Sequence, residues 1–366
     1  MFRRTPKNQK VQLGPKKPNW IKRHKKLSII LGIVLALLIT GGIVAAVHFA
    51  NQKPAEKTAV KSAPKPAPEA PKYYSPLTGN LVESEAATKQ AVTAIMMENS
   101  PDARPQSGLK DSGVVFEAIA EGGITRFLVL YQEQKPQLVG PVRSVRLYYV
   151  DWLAAFNASV AHVGGSAASL AEVRNGTYRD IDQFFNAPTY WRATDRYAPH
   201  NVYTSFAKID ALNTAKGYTT SEFTGFTRKD SAAAPATATS VDVTISSALF
   251  NSHYNYNAAT NSYDRSQAGA PHTDRESGQI SPRVVIAMKV EQKKVFEDGY
   301  REQITAIGSG TAYIFQDGTV QEVTWSKASK KDQITFKDAA GKDVPLARGQ
   351  TWITAVPNSG GAVSWQ

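Results

Sequence analysis

An arginine pair and a glycine turn followed by serine are the features of this chain best suited to hold an anion. Arg143 and Arg146 are three residues apart, so on a helical turn their guanidinium groups would project from one face as a double fork. Gly164 and Gly165 precede Ser166, a good helix N-cap. The N–H groups at such a helix start suit an oxyanion, although an ordinary capped helix would have the same sequence.

The surrounding region favours arginine over lysine. Residues 77–210 contain eight Arg and four Lys, and Arg binds carboxylate and phosphate through a rigid fork. His200 follows Pro199, and its imidazole can gain charge as an anion binds. Some of these arginines would also fit simple surface ion pairs. We expect one anion-binding cleft, lined by Arg126, Arg143, Arg146, His162, Gly164, Gly165, Ser166, Arg196 and His200.

A predicted hairpin places two acids near one of these arginines. With Gly122-Gly123 as its turn, Glu121 faces Ile124 and Ile119 faces Arg126, so Glu117, Glu121 and Arg126 share one face. The two carboxylates would be about 13 Å apart, too far for a glycosidase pair. A cross-strand ion cluster is the simpler interpretation, and a ligand contact for Arg126 remains open.

Other chemistry has weaker support in the sequence. Gly164-Gly165-Ser166-Ala167-Ala168 resembles a nucleophile elbow but lacks its last glycine. The histidines are scattered, and His272-Thr-Asp274 is the only ligand-like pair, so we expect no metal and no cofactor. The absence of cysteine excludes disulfides, thiolate zinc sites, a cysteine nucleophile and a lipid on cysteine.

The elements that would position these residues fall into two modules. In the first, 73–228, short apolar runs predict strands at 92–97, 114–121, 124–133 and 159–163, and helices are expected at 145–156, 167–175 and 205–217. The second, 241–357, is dominated by strand-like runs, with turns at Asp317-Gly318 and Ala340-Gly341. Small polar residues at 229–240 indicate a linker, and 358–366 are expected to form a tail. The fold class is therefore α+β.

The amino-terminal part predicts a membrane anchor. Residues 27–50 are uncharged and, at about 1.5 Å per residue, would span roughly 36 Å as a helix, enough to cross a lipid bilayer. The preceding arm, 1–26, has ten Lys/Arg and no acid, so it should be cytoplasmic and the rest extracytoplasmic in this single-pass protein. A cleaved signal peptide has a shorter apolar core. Residues 51–72, rich in Pro, Ala and Lys, predict a disordered stalk.

The positive charge of the chain does not indicate nucleic-acid binding. The total of +12 is made up of +10 from residues 1–26, +3 from 51–72 and −1 from 73–366. A nucleic-acid footprint would be expected on the folded part, whereas here the positive charge flanks the apolar segment, where it can contact anionic lipid.

Several strings in the chain resemble the bacterial YerB-like family. They cover about 75–357 in one order: Ile95-Met-Met-Glu-Asn-Ser, Arg104-Pro-Gln-Ser-Gly-Leu, Val114-Val-Phe-Glu-Ala, Glu121-Gly-Gly-Ile-Thr-Arg-Phe, Gly140-Pro-Val-Arg-Ser-Val-Arg146, His162-Val-Gly-Gly-Ser166, Arg196-Tyr-Ala-Pro-His-Asn-Val-Tyr203, Tyr263-Asp-Arg-Ser-Gln, Pro271-His-Thr-Asp274, Gly308-Ser-Gly-Thr-Ala-Tyr313, Thr324-Trp-Ser-Lys327 and Thr351-Trp-Ile. The resemblance implies a two-part extracytoplasmic domain of the bacterial cell envelope, often a lipoprotein, and it supplies no catalytic residue. Here a transmembrane helix would replace the lipid.

Three functions are compatible with these observations. The first is a membrane-anchored module that binds an anionic envelope ligand, either a glycan, a peptide carboxylate or a phosphate. The second is an envelope hydrolase that uses Glu117, Glu121, His162 or His200 as acid and base. The third is a scaffold that binds wall-associated proteins and has no small ligand. Convergence of the motif residues on one pocket would favour the first two.

Overall fold

A computed structural model describes residues 24–51, 71–232, 234–295 and 301–366. The chain divides into two compact units, Met1–Glu69 and Ala70–Gln366. Most of the predicted arm (1–26) and stalk (51–72) lies outside the described residues.

The first unit contains one long apolar helix, Lys25–Ala50, with a mean hydropathy of 2.8 and no buried residue. Its 26 residues correspond to about 39 Å of helix. By length and composition it can cross a bilayer, and it therefore fits the predicted anchor.

The elements of the described chain are numbered in chain order. Helices α1 to α5 are Lys25–Ala50, Glu85–Thr88, Leu147–Leu153, Ala167–Val173 and Phe206–Ala215, and 3-10 turns are formed by Pro101–Ala103, Ala154–Phe156 and Ala187–Thr189. Strands β1 to β25 are Tyr73–Tyr74, Leu81–Val82, Thr93–Glu98, Val114–Glu121, Ile124–Tyr131, Ser159–Ala161, Arg179–Asp180, Trp191–Arg192, Val202–Tyr203, Arg228–Lys229, Ser240–Thr244, Ser252–Asn257, Ser262–Gln267, Ala270–Pro271, Thr273–Asp274, Gly278–Gln279, Val284–Val290, Gln292–Val295, Arg301–Ile304, Gly308–Gln316, Thr319–Lys327, Thr335–Lys337, Leu346–Ala347, Thr351–Pro357 and Ala362–Trp365.

One large sheet runs through both predicted modules. Its order is β22-β21-β20-β17-β24-β4-β5-β3-β6-β7, with β18 and β19 joined to it at β4. The modules meet where β24 pairs in parallel with β4, from Thr351 opposite Val114 to Thr354 opposite Glu117. The two halves of the chain therefore share one sheet, and apolar side chains pack in a separate cluster on each of its faces.

The predicted hairpin is present, but its register was predicted incorrectly. Gly122 and Gly123 form the turn with positive φ, and Glu121 pairs with Ile124 as expected. A bulge between Ile119 and Glu121 then shifts the pairing, so Arg126 lies opposite Ala118. Because side chains alternate along a strand, Glu117 points to the other face of the sheet from Arg126.

Two of the three predicted helix starts are confirmed, and the helix predicted from 145 begins at Leu147. Ser166 caps α4 by accepting a hydrogen bond from the Ser169 N–H, and Ser205 caps α5 in the same way through Lys208. The carboxyl-terminal segment, 358–366, differs from the prediction because it is not a tail. It contains β25, which pairs with β11 in a second, five-stranded sheet. The hairpin of β12 and β13 in that sheet was not predicted. The fold is α+β, with a strand-rich carboxyl-terminal part.

Candidate functional site

A buried carboxylate at the end of β3 brings together two of the predicted site residues. Glu98 is 3% exposed, and its Oε2 lies 3.1 Å from Arg143 Nε and 3.0 Å from His200 Nδ1. The Oγ of Ser100 is also 3.1 Å from His200 Nδ1. The backbone of Arg143 is fixed beside β3 because its N–H donates to Met96 O. Glu98 is therefore a site residue that the sequence prediction did not include.

A cavity of about 630 Å³ lies next to this carboxylate. It is lined by Asp102, Arg104, Pro105, Asp195, Arg196, Tyr197, Ala198, His200 and Arg275. Three arginines and a histidine thus face two aspartates, and Arg275 comes from the second half of the chain. Tyr197 on its rim is 90% exposed. The excess of cations makes this cavity, which we call the arginine pocket, suited to an anion.

Two arginines of the arginine pocket are held by neutral oxygens. Arg104 donates to the side chain and carbonyl of Asn99 and to Leu249 O, and Arg196 donates to the carbonyls of Asp102 and Pro105. Neither forms an ion pair with a carboxylate among the described residues. Burial lowers the pKa of Arg104 to about 10. These charges are thus positioned without being neutralised by direct contact.

A buried polar network is connected to the arginine pocket through Asn99, which also binds Arg104. Asn99 donates to Thr125 Oγ1 at 2.6 Å, and Thr125 donates to Glu117 Oε1 at 3.2 Å. The other oxygen of Glu117 accepts hydrogen bonds from Arg265 Nη2 at 2.9 Å and Trp352 Nε1 at 3.0 Å. Glu117 and Arg265 are fully buried, so this ion pair joins the two halves of the chain out of contact with water.

The network closes through a buried histidine. Arg265 Nη1 donates to His272 Nδ1, and His272 Nε2 donates to Gln106 Oε1 at 3.0 Å. Gln106 donates in turn to the Asn99 side chain and to Glu98 O. Accepting a hydrogen bond from arginine at Nδ1 requires His272 to be neutral. Its pKa is accordingly lowered well below 6.5, first by burial and then by the neighbouring arginine charges.

This histidine gives a prediction for the acid stability of the protein. The unfolded chain binds a proton at His272 below about pH 6.5 and the folded chain does not, so the free energy of unfolding should fall with decreasing pH. The slope from this group approaches 1.4 kcal/mol per pH unit. His272→Gln, which can still accept from Arg265 and donate to Gln106, should remove that part of the slope in urea titrations at pH 7.5, 6.5 and 5.5. His253→Gln is the control for loss of a histidine, and an unchanged slope in His272→Gln would contradict the assignment.

The remaining predicted arginines form a separate ion cluster. Glu121 Oε1 accepts from Arg126 Nη2 at 2.9 Å, and Glu121 Oε2 accepts from Arg146 Nε at 3.0 Å. Burial would raise the pKa of Glu121, but the two guanidinium groups outweigh it and lower the pKa. Arg146 and Ser166 line another cavity, of about 330 Å³. The expected contact between Glu121 and Arg126 is present, whereas Glu117 belongs to the network on the other face.

His162 is fully buried and satisfied by protein groups. Its Nδ1 lies 2.8 Å from Gly164 O and its Nε2 lies 3.0 Å from Asp180 Oδ1, so both nitrogens face oxygen acceptors. With Asp182 it forms a group whose ligand atoms lie within 4.8 Å of one another. Asp182 already accepts hydrogen bonds from Arg174 and from the Phe184 N–H. These partners favour a structural role over metal binding.

The nine predicted residues therefore do not line one cleft. Arg196 and His200 line the arginine pocket, and Arg143 adjoins it through Glu98. Arg126, Arg146 and Ser166 lie together elsewhere, and His162 with Gly164 is buried. Gly165 is a close-packing position, since an added Cβ would lie 3.0 Å from Val145 O. Helix starts and arginine spacing alone could not separate these groups.

The missed residues lie in the sequence strings described above. Glu98, Arg104, Gln106, Arg265 and His272 belong to strings that are far apart in the chain and meet at one end of the shared sheet. The resemblance of these strings to a known family was therefore the signal in the sequence that could have identified the missed residues. Ion-pair geometry, which depends on the fold, was not accessible from the sequence.

The fold and this network define a two-part α+β protein whose halves share one sheet. Family models described as the amino- and carboxyl-terminal domains of a protein of unknown function (DUF3048) match residues 77–219 and 241–353. The chain belongs to this family, which confirms the resemblance to YerB-like proteins.

Two comparisons extend this result. The chain is 34% identical to "Putative lipoprotein YerB" of Bacillus subtilis (strain 168) over 295 residues, which is 79% of this chain and 88% of that protein. The crystal structure of the YerB protein from Bacillus subtilis matches with a TM-score of 0.71 and 31% identity, covering 80% of this chain and 99% of the solved one. Because 80% of this chain covers 99% of the solved one, the matched fold forms without a counterpart of the remaining fifth of this chain.

Proposed function

We propose that this protein is anchored in a bacterial membrane by α1, holds residues 71–366 outside the cytoplasm, and binds an anionic envelope ligand in the arginine pocket. The observation that carries the proposal is that Arg104 and Arg196 are fixed by neutral oxygens at a cavity, without an ion-pair partner among the described residues. A carboxylate or phosphate would supply the missing negative charge through charge-assisted hydrogen bonds.

The anchor rests on α1 and on the ten cations of residues 1–26, which precede its uncharged stretch. A B. subtilis relative carries a lipoprotein name, and lipid attachment and a transmembrane helix both tether a domain to a membrane. This chain has no cysteine to carry such a lipid, and the apolar helix fits the same task. The basic arm would then contact anionic lipids of the cytoplasmic leaflet.

Topology can be tested with a reporter fused after Gln366. Because the Lys/Arg excess lies before α1, a reporter that is active only outside the cytoplasm should be active. The same fusion with Leu27–Ala50 deleted is the control and should be inactive. Activity of a cytoplasm-only reporter at Gln366 would contradict the orientation.

Ligand binding can be tested by sedimentation of segment 71–366 with purified bacterial cell wall. Residues 73–366 carry a net charge of only −1, so general attraction to an anionic polymer is not expected. Binding should therefore depend on the arginine pocket and weaken with added salt. A parallel experiment uses wall from which the phosphate-containing polymers have been removed. If the segment binds intact wall but not this stripped wall, the ligand is a phosphate. No sedimentation with either material would contradict the proposal.

The same experiment separates two other functions. His200 lines the arginine pocket with Nδ1 against Glu98, an arrangement in which a carboxylate can orient an imidazole for acid–base chemistry. Release of soluble wall fragments would favour this hydrolase alternative. A scaffold function is favoured instead by the adjacent exposed rings of Phe184 and Phe185, 66% and 71% exposed, and would give no wall binding.

A further inference from the structure

The arginine pocket has a neighbouring cavity on the far side of one ion pair. This second cavity, of about 430 Å³, is lined in part by Trp191, Arg192 and Tyr203. Asp195 and Arg275 line both cavities. The two residues are therefore shared walls of the two cavities.

The Asp195–Arg275 ion pair is short, but it is exposed to solvent and contributes little to stability. Arg275 Nη2 lies 2.6 Å from Asp195 Oδ2, and the two side chains are 39% and 49% exposed. Ion pairs at such exposure contribute little to stability, because solvent screens the charges and two flexible side chains must be ordered. A ligand anion can therefore replace Asp195 on Arg275 at small cost.

The backbone around the pair is held independently of it. Asp274 Oδ1 accepts hydrogen bonds from the N–H groups of Glu276 and Ser277, which fixes the turn that carries Arg275. On the other side, Asn201 donates to the carbonyls of Ala193 and Arg196 and so braces the loop that carries Asp195. Breaking the pair requires only side-chain rotation.

We propose that the Asp195–Arg275 pair is a removable partition between two halves of one groove, and that this groove binds a linear polyanion longer than one phosphate or carboxylate group. The inference rests on the proposed function and adds the shape of the ligand. Arg275 would bind one anionic unit after Asp195 turns away, and the chain would continue past Trp191 and Arg192. This proposal also gives the carboxyl-terminal half of the protein a role in binding, because that half supplies Arg275.

The test compares a single anion with a chain of the same chemistry. Inorganic phosphate and a short linear glycerol-phosphate oligomer are titrated into segment 71–366, with a polyglutamate of similar length as the carboxylate counterpart. The variants are Asp195→Asn, Arg275→Gln and, as a matched control, Asp102→Asn. Asp102 lines only the arginine pocket and its side chain is 84% exposed, so this control removes the same charge without opening the partition.

Asp195→Asn should raise affinity for the preferred oligomer about two- to fivefold, the range expected from removing an exposed ion pair. It should raise phosphate affinity no more than Asp102→Asn does. Arg275→Gln should weaken oligomer binding by a larger factor than it weakens phosphate binding, because Arg275 lines both cavities and the oligomer would contact both. Equal gains for the oligomer in Asp195→Asn and Asp102→Asn, or full oligomer affinity in Arg275→Gln, would overturn the partition and leave the proposed function standing. Failure of the wild-type segment to bind any of the probes would overturn both.

Discussion

Replacing Arg265 with Met is expected to lower the free energy of unfolding by about 3 to 5 kcal/mol, the usual cost of breaking a buried ion pair from one side. The substitution leaves the Glu117 carboxylate buried with no guanidinium partner. It also removes the hydrogen bonds to Tyr254 and His272 and the packing of the guanidinium 4.4 Å above the Trp352 ring. Urea denaturation of segment 71–366, followed by circular dichroism, measures the change.

A surface pair provides the control for this result. Lys89 and Glu85 are 57% and 67% exposed, so Lys89→Met should leave the free energy of unfolding nearly unchanged. Because β24 and β4 are paired across the two halves of the chain, both halves should unfold in one transition in each variant. A loss of less than about 1 kcal/mol in Arg265→Met would show that the buried pair does not hold the halves together.

Local patterns in the sequence predicted most of the elements but not their long-range pairing. The glycine turn at 122–123 and the caps Ser166 and Ser205 depend on a few adjacent residues, and all are present. No glycine lies at the bulge residue, Ala120, so the bulge was not predicted. Because of the bulge, Glu117 lies on the opposite face of the sheet from Arg126. Register beyond a turn depends on what packs on each face, which a single strand does not specify.

The same limit explains the site. Arg143, Arg196 and His200 were predicted from their chemistry and do lie beside one cavity, because the chain returns to the end of β3 several times. Arg146 is three residues from Arg143, but it lies at the N-cap of α3 and pairs with Glu121. Helical spacing therefore did not apply to these two arginines. Arg143 and Arg146 instead pair with different acids, Glu98 on β3 and Glu121 on β4, and those partners are far from them in the sequence.

Arg143→Ala and Arg143→Lys are both expected to weaken binding to cell-wall material by about 1.5 to 3 kcal/mol, or roughly 10- to 150-fold. Arg143 Nε lies against Glu98. The two Nη atoms of Arg143 donate no hydrogen bond to any of the described residues. These two nitrogens are therefore free to bind a ligand. Lysine would keep the charge but could not contact Glu98 and an anion with one planar group. Titration of segment 71–366 with wall fragments measures the affinity.

The control for this prediction is an arginine far along the chain that already has its own partners. Arg348 pairs with Asp230 and stacks on Tyr74, so Arg348→Ala removes one positive charge without touching the arginine pocket. Its affinity for wall fragments should stay within about twofold of the wild-type value, since Arg348 is already paired with Asp230 and salt screens a charge that lies away from the ligand. If Arg143→Lys binds as well as the wild type, the fork geometry of Arg143 is not used. If Arg348→Ala weakens binding as much as Arg143→Ala, net charge rather than the arginine pocket determines the affinity.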